Sequence, residues 1–497
     1  MIFIGLFKPS VPRVSLAWVK WLVWTAVFLM AAFVLVTVWE NTSPVIQGDN
    51  WYYADTLIKH YQDGELSIKD IFTKREGDNS QPVNRLILLG VTRWFQMDLA
   101  VQGVLGVLII ICCVLLLSRL TMRESLPVAD IPWITTCLPF GFALILFSLN
   151  STGFFYWPLV ITLMSLGTLG GVAYLYFVAD ANRSYQWIWT ALAASAALVV
   201  LDTFGNLMVL ASILLLAHRA LLNRGRKRVD ALMSAGAAIA VFVAYGYFYH
   251  RIIGVQSSPL TPENLLIAMR YVADHMDVAW KALVVPFAIA VFEPLGQHRW
   301  VWALLVPLAA LMWLGHAWFW REYFRHHDKR LAFLASGLML YFYGTVAGMM
   351  IERIPKHGFD YVFQPRYIAF YELQLVALLL MGAVVLPRSA KAVRMGSIIA
   401  ILMCTMFTLD IYFGARAWVT APYSHKYDTN MIQQIDQLAA DPALVPEGCF
   451  PQITPCRWPL EQRTEVLDVL RSGGFNVFSP DFRRRHGYPL PAYQPRP

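Results

Sequence analysis

The residues able to do chemistry gather in one stretch of the chain. It reads Gly48-Asp49-Asn50-Trp51-Tyr52-Tyr53-Ala54-Asp55, continues through Tyr61-Gln62-Asp63-Gly64-Glu65-Leu66, and ends at Asp78-Asn79-Ser80-Gln81-Pro82-Val83-Asn84-Arg85. A carboxylate framed by aromatic rings can accept a proton from a hydroxyl while the rings hold a sugar face. Partial desolvation makes such a carboxylate a better base. On a helix, Asp49 shares a face with Tyr52 or Tyr53, and Trp51 with Asp55. The competing assignment is a solvated loop whose Asp residues cap helices. Asp49 carries both readings. Asp55 is expected to support or cap, and Asp63-Gly64 marks a turn. Asp78 and Asn79, ahead of Pro82, either turn the chain or reach the site.

A second stretch reads Phe363-Gln364-Pro365-Arg366-Tyr367, with Lys356 and His357 shortly before it. A guanidinium at a lipid interface can grip a phosphate with two N–H groups. It can equally anchor its helix by snorkelling. Lys356 and His357 add positive field. Arg353 can pair with Glu352 or with lipid headgroups.

The elements that must position these residues follow from composition. Of 497 residues, 58% are hydrophobic and only 14% charged. The mean hydropathy is +0.51. Apolar runs of about 20 residues recur, long enough to cross a bilayer as helices. The spacing predicts an all-α polytopic membrane protein with eleven spans, near 16–38, 99–117, 131–149, 155–178, 187–201, 204–217, 231–249, 301–320, 331–350, 366–386 and 395–413. Lys8, Arg13 and Lys20 place the N-terminus in the cytoplasm by the positive-inside rule. Arg119 and Arg123, Arg183, the run Arg224-Gly225-Arg226-Lys227-Arg228, and Arg321 to Arg330 then fall in inner loops. The segment 278–292 is apolar but short, and Lys281 and Pro286 interrupt it. Crossing there would put the basic loop after the eighth span outside, so a re-entrant or interfacial helix is expected. The outer features are a large first loop at 39–98, loops at 250–300 and 351–365, and a C-terminal extracytoplasmic domain at 415–497 beyond the 1–414 membrane module.

The formal net charge of +8 sits mainly in short loops, where it sets topology, so no nucleic-acid function is read from it. No phosphate-binding glycine loop is present, which argues against a soluble nucleotide substrate. Four of the six cysteines lie in spans and read as packing residues. Cys449 and Cys456 lie in the polar tail, and outside the cytoplasm they are expected to form a disulfide. No residue set suggests a metal site, and His326-His327-Asp328 reads as topological. Two glycosylation sequons, at Asn41 and Asn150, are short enough to arise by chance. The spans are nearly free of ionisable groups. Lys20, His218, His316, Glu372 and Asp410 lie toward span ends. A transporter usually keeps such groups near the midplane, so this distribution favours chemistry at the outer membrane–water boundary.

The arrangement resembles the GT-C superfamily of polytopic glycosyltransferases, and more closely a bacterial multi-pass branch with a motif-bearing first loop. Asp49-Asn50-Trp51 matches the start of that loop, and Asp63-Gly64-Glu65-Leu66-Ser67 to Asp70-Ile71-Phe72 matches its centre. Asp78-Asn79-Ser80 stands where the branch has Glu-His-Arg, and Arg85-Leu86 matches the arginine that follows. Phe147-Ser148-Leu149-Asn150 to Phe155-Tyr156-Trp157 resembles its aromatic second outer loop, and Pro365-Arg366-Tyr367 its Ser-Arg-Tyr.

The resemblance implies a glycosyltransferase of a bacterial cytoplasmic membrane. It would move a sugar from a polyprenyl-phosphate donor to an extracytoplasmic glycan or glycolipid acceptor, among membrane lipids. Asp49 is then the expected catalytic base. Arg366 would hold the donor phosphate with help from Lys356 or Arg85. Trp51, Tyr52, Asp55, Asp78 and Tyr367 are the further substrate-binding candidates. A divalent cation is compatible with this chemistry and not required by it. The rival readings are a flippase for lipid-linked saccharides and a non-catalytic subunit of envelope assembly.

Overall fold

A computed structural model of the chain describes residues 16–73, 82–125, 132–180, 184–201, 203–253, 262–290, 299–385 and 392–490. Helices and turns make up the described residues, with no strand among them. Eight helices are long and apolar enough to cross a membrane: Ala17–Asn41, Leu99–Ser125, Pro158–Val178, Phe204–Leu222, Arg226–Ile253, Val301–His326, Arg330–His357 and Pro365–Val385. The shortest has 19 residues. At 1.5 Å per residue it is about 28 Å long, close to the thickness of a hydrocarbon core. Two shorter apolar helices, Thr135–Ser151 and Gln186–Leu201, coincide with two more expected spans. The chain is an all-helical polytopic membrane protein. The first span shows why lipid is its solvent, since Trp18, Trp21 and Phe28 all point outward from it.

The segment at 278–292 forms part of a helix, Met276–Ala288, of 13 residues. Such a helix reaches about 20 Å, too short to cross. Its end at Val285 to Ala290 is buried in the bundle. There Gln374 Nε2 donates to the Pro286 carbonyl at 3.0 Å, and Asn150 Nδ2 donates to the Ile289 carbonyl at 3.1 Å. A helix that stops inside a membrane protein needs such partners, because water cannot satisfy its last carbonyls.

The loops expected on the inner side meet one another. Arg219, buried at the end of its helix, donates to the Ala179 carbonyl at 3.0 Å, the His327 carbonyl at 3.1 Å and the Lys329 carbonyl at 3.3 Å. Arg330 pairs with Asp180 at 3.3 Å and Glu124 at 3.7 Å. These arginines therefore brace loops.

The opposite end departs from the expected division into two domains. Residue 415 is no boundary, because one helix, Ala392–Ala440, runs for 49 residues straight through it. The first loop and the C-terminal part share a single core. Val45, Trp51 and Leu57 pack with Met431, Leu467 and Phe482. A tail of this size has too little apolar surface for a core of its own, so it borrows one. Cys449 and Cys456 are joined, as expected.

Asn476 holds this assembly together. It is fully buried with φ +50°, a conformation asparagine tolerates better than most residues. Its Nδ2 donates to the carbonyls of Pro44 at 2.9 Å and Met97 at 2.7 Å. Its Oδ1 accepts from Ile46 N at 2.9 Å, and its own N–H donates to the Gln96 carbonyl at 2.7 Å. One residue thus ties the beginning of the first loop to its end. Buried Asp98 adds contacts from Arg485 at 2.7 Å and His486 at 2.9 Å.

Two outcomes follow. Asn476→Asp keeps the shape but turns a donor toward two carbonyls into an acceptor. It should cost on the order of 3 kcal/mol, read as a lower thermal midpoint and faster proteolysis of the C-terminal part. A change below about 0.5 kcal/mol, the scatter of ordinary surface substitutions, would contradict the staple.

The second concerns Asp428, which accepts from Ser43 Oγ at 2.8 Å and Tyr488 Oη at 3.3 Å, with His486 nearby. Burial pushes its carboxyl up from 3.8 to about 6, against the opposing pull of those donors. The folded state therefore holds the proton more tightly than the unfolded chain. Its stabilising contribution is complete below pH about 4 and is lost as pH rises through about 6, a difference of about 3 kcal/mol at most. Asp428→Asn should remove that component from a plot of thermal midpoint against pH. Parallel curves for the two proteins would rule it out.

Candidate functional site

The first loop leaves its span at Asn41 and reaches Asp49 by a path that side chains dictate. Thr42 Oγ1 donates to the Phe155 carbonyl at 3.3 Å. Gly48 N donates to the Gln452 carbonyl at 2.9 Å, and the Gly48 carbonyl accepts from Thr454 Oγ1 at 3.0 Å. Gly48 has φ +55°, which favours glycine, and a Cβ there would stand 3.7 Å from Trp157 Cζ2. Asp49 follows immediately, half-buried, ahead of the short helix Asn50–Tyr53. Its side chain makes no capping hydrogen bond to that helix. The capping reading of Asp49 therefore fails.

Trp157 is held just before the helix Pro158–Val178. Asn84 anchors the start of that helix by donating to the Leu159 carbonyl at 3.1 Å, and Asn84 in turn accepts from Gln102 at 2.9 Å and Thr162 at 2.7 Å. The second half of the first loop is thereby locked to two spans.

Arg366 reaches the same indole. Its guanidinium carbon lies 5.2 Å from the Trp157 ring, 5.4 Å from Tyr361 and 5.3 Å from Tyr367. Three ring faces suit a cation that has left bulk water. One hydrogen bond is made, from Nη2 to Tyr361 Oη at 2.7 Å. Arg366 Nε is buried with no hydrogen-bond partner, and so is Trp157 Nε1. A snorkelling anchor would turn its donors to water. Here the Arg366 Nε–H and the Trp157 indole N–H are both buried and unused. His357 stacks on Tyr361 at 4.8 Å, and exposed Lys356 adjoins it. Arg353 lies within electrostatic reach of Tyr367.

The expected residues therefore divide. Gly48, which precedes Asp49, and Arg366 both approach Trp157, Tyr367 lies against Arg366, and Lys356 is exposed. Trp51 is fully buried in the core shared with the C-terminal part and has no ring face to offer a sugar. Tyr52 lies against Trp458, with ring centroids 5.1 Å apart. Asp55 accepts from Gln462 Nε2 at 2.7 Å, so it docks the C-terminal part. Arg85 donates to the Asp70 carbonyl and lies over Tyr53 at 5.3 Å, bracing the first loop from within. Asp78 lies outside the described residues. Trp157 is the residue that sequence reasoning left out of the site, although its place in an aromatic turn between two spans was the available signal.

Among the described residues no three His, Cys, Asp or Glu side chains form a metal-holding group. His316, expected toward a span end, instead lies inside the helix Val301–His326 and is used on both ring nitrogens, by Tyr343 Oη at 2.8 Å and Gln374 Oε1 at 2.9 Å.

Comparison with protein-family models, with curated proteins and with solved structures finds no match in any of the three.

The close approach of the turn at 152–155 to Arg366 can be tested directly. A Cβ on Gly153 would stand 2.9 Å from Arg366 N and 3.0 Å from Pro365 Cβ. Gly153→Ala must displace the Arg366 turn and should cost about 1–3 kcal/mol in thermal unfolding. Gly236→Ala, whose Cβ meets nothing within 4 Å, serves as the neutral control. Equal midpoints for the two variants would contradict the packing.

Proposed function

We propose that the chain is a membrane glycosyltransferase that moves a sugar from a polyprenyl-phosphate donor to a glycan or glycolipid acceptor at the outer face. The observation that carries this reading is the convergence of two loops on Trp157. It sets a guanidinium with an unused donor edge near the segment that bears a non-capping carboxylate.

The reaction needs three things from the protein. An acceptor hydroxyl attacks the anomeric carbon, and its proton passes to Asp49. The bond from that carbon to the phosphate oxygen breaks, and the electron pair leaves with polyprenyl phosphate. Arg366 faces the charge that develops on the leaving group, in a site where aromatic rings exclude water and strengthen the interaction. Attack from the face opposite the phosphate inverts the sugar carbon. The location of the chain in a bacterial cytoplasmic membrane, with Asp49 and the C-terminus outside, belongs to the same proposal.

Purified protein in lipid nanodiscs, given polyprenyl-phosphate hexose and envelope glycolipid, tests it by mass spectrometry of the products. Asp49→Asn should lower transfer about 10²–10⁴-fold with an unchanged thermal midpoint. Arg366→Lys keeps the charge but not the fork, and should also lose transfer. Full transfer by Asp49→Asn removes Asp49 from the mechanism, and movement of the lipid across the bilayer without a covalent product would favour a flippase.

A further inference from the structure

The helix Pro82–Phe95 ends the first loop just before the span Leu99–Ser125, and its two sides differ. Asn84, Arg85, Leu88, Val91 and Thr92 recur at helical spacing on one side and are buried. Val83, Leu86, Ile87, Gly90 and Trp94 fall on the other side. There Leu86 is 53% and Trp94 73% exposed, the other three are half-buried, and exposed Arg93 borders them. The Trp94 ring folds back along this side, because a Cβ on Gly90 would stand 3.1 Å from Trp94 Cζ3. The result is an apolar strip with a flat indole on it, and such a strip stabilises nothing while it faces water.

The surroundings of the helix say what covers the strip. Its buried side rests on the first turns of two spans, where Asn84 Nδ2 donates to the Leu159 carbonyl at 3.1 Å and Asn84 Oδ1 accepts from Gln102 Nε2 at 2.9 Å. The helix therefore lies where those spans leave the bilayer. With 14 residues it reaches about 21 Å, too short to cross. It also packs against the apolar helix Gln186–Leu201, whose Leu192, Val199 and Val200 are exposed. The strip thus continues the apolar surface that the membrane helices turn to lipid. Trp94 and Arg93 are side chains of the kind that settles at headgroup level, with an apolar body toward the acyl chains and a polar end toward water. Their placement on a short amphipathic helix fits the lipid interface.

We propose that this strip is seated on the lipid bilayer at the first-loop end of the protein, with Leu86 and Trp94 among the upper acyl chains and Arg93 at the lipid phosphates. On its other side the helix supplies Leu88 and Leu89 to the core shared with the C-terminal part. One helix thereby fixes that core to the membrane surface. Asn84 links the seat to the helix that Trp157 precedes, so the bilayer sets the height of Trp157 and of the Arg366 guanidinium beside it. The seat holds whether or not the chain transfers a sugar.

The test uses the full chain in phospholipid nanodiscs wide enough for two copies. It is photolabelled by a phospholipid that carries a diazirine high in its acyl chain and, separately, by a water-soluble diazirine. Peptide mass spectrometry should find lipid adducts on Leu86 and Trp94 at about ten times or more the yield on Leu444, an exposed leucine of the C-terminal part, with the order reversed for the water-soluble label. The double variant Leu86→Glu, Trp94→Glu exchanges two exposed side chains, so it should elute as wild type does. Its lipid adducts within 82–95 should fall about tenfold or more, because the burial of two large apolar side chains outweighs one decade of an equilibrium constant. Water-soluble label on Leu86 and Trp94 of the wild type with no lipid adduct there, while the spans are labelled, would overturn the proposal. Protection of the strip from both labels in discs that hold two copies would overturn it too, by giving the strip to a second chain.

Discussion

The side-chain amide of Asn476 is the contact on which the outer half of this protein depends. A carboxamide offers two donors and an acceptor in one plane, and here three backbone groups of the first loop use them. Without it, both the start and the end of that loop would carry buried, unpaired backbone groups. With it, the loop becomes one wall of a core whose other wall is the C-terminal part. The path from Pro44 to Gly48 is then set, and it brings Gly48, the residue before Asp49, to the Trp157 indole.

Trp157 does for the site what Asn476 does for the loop. Its indole is a surface that both Gly48 and Arg366 approach. The Arg366 guanidinium rests among rings that attract it weakly and give it one hydroxyl oxygen. That leaves an N–H edge whose desolvation nothing in the chain offsets. An anion at this point would complete the pairing, which is why the arrangement fits a phosphate better than it fits a helix anchor.

Much of the fold was legible in the sequence, because lipid imposes a local rule. A helix that crosses must be apolar along its length, and eight such runs are visible in the residues themselves. The shortness of the helix Met276–Ala288 was also legible, since Lys281 and Pro286 interrupt the apolar segment there. The shared outer core was not. It pairs residues more than 380 positions apart, as Ile46 and Ser43 do with Asn476 and Asp428, and no local pattern announces such contacts. Trp51 and Asp55 looked like ligand groups because aromatic and acidic residues serve cores and docking surfaces equally well. The expected boundary at 415 followed the end of an apolar run, but the helix there continues through a mixed stretch whose apolar residues Met431, Ile432 and Ile435 share a core with the first loop. Asp49 and Arg366 were each visible as candidates, while the approach of Gly48 and of Arg366 to Trp157 is a property of the folded chain alone.

The central claim is that Arg366 and the Asp49 segment face one anion across Trp157. An electron-microscopy map of the protein in nanodiscs containing polyprenyl phosphate tests it most directly. The account predicts phosphate density at hydrogen-bonding distance from the Arg366 guanidinium, with the Asp49 carboxylate lining the same cavity. Density for the phosphate elsewhere, with Arg366 still enclosed by its three rings, would contradict it.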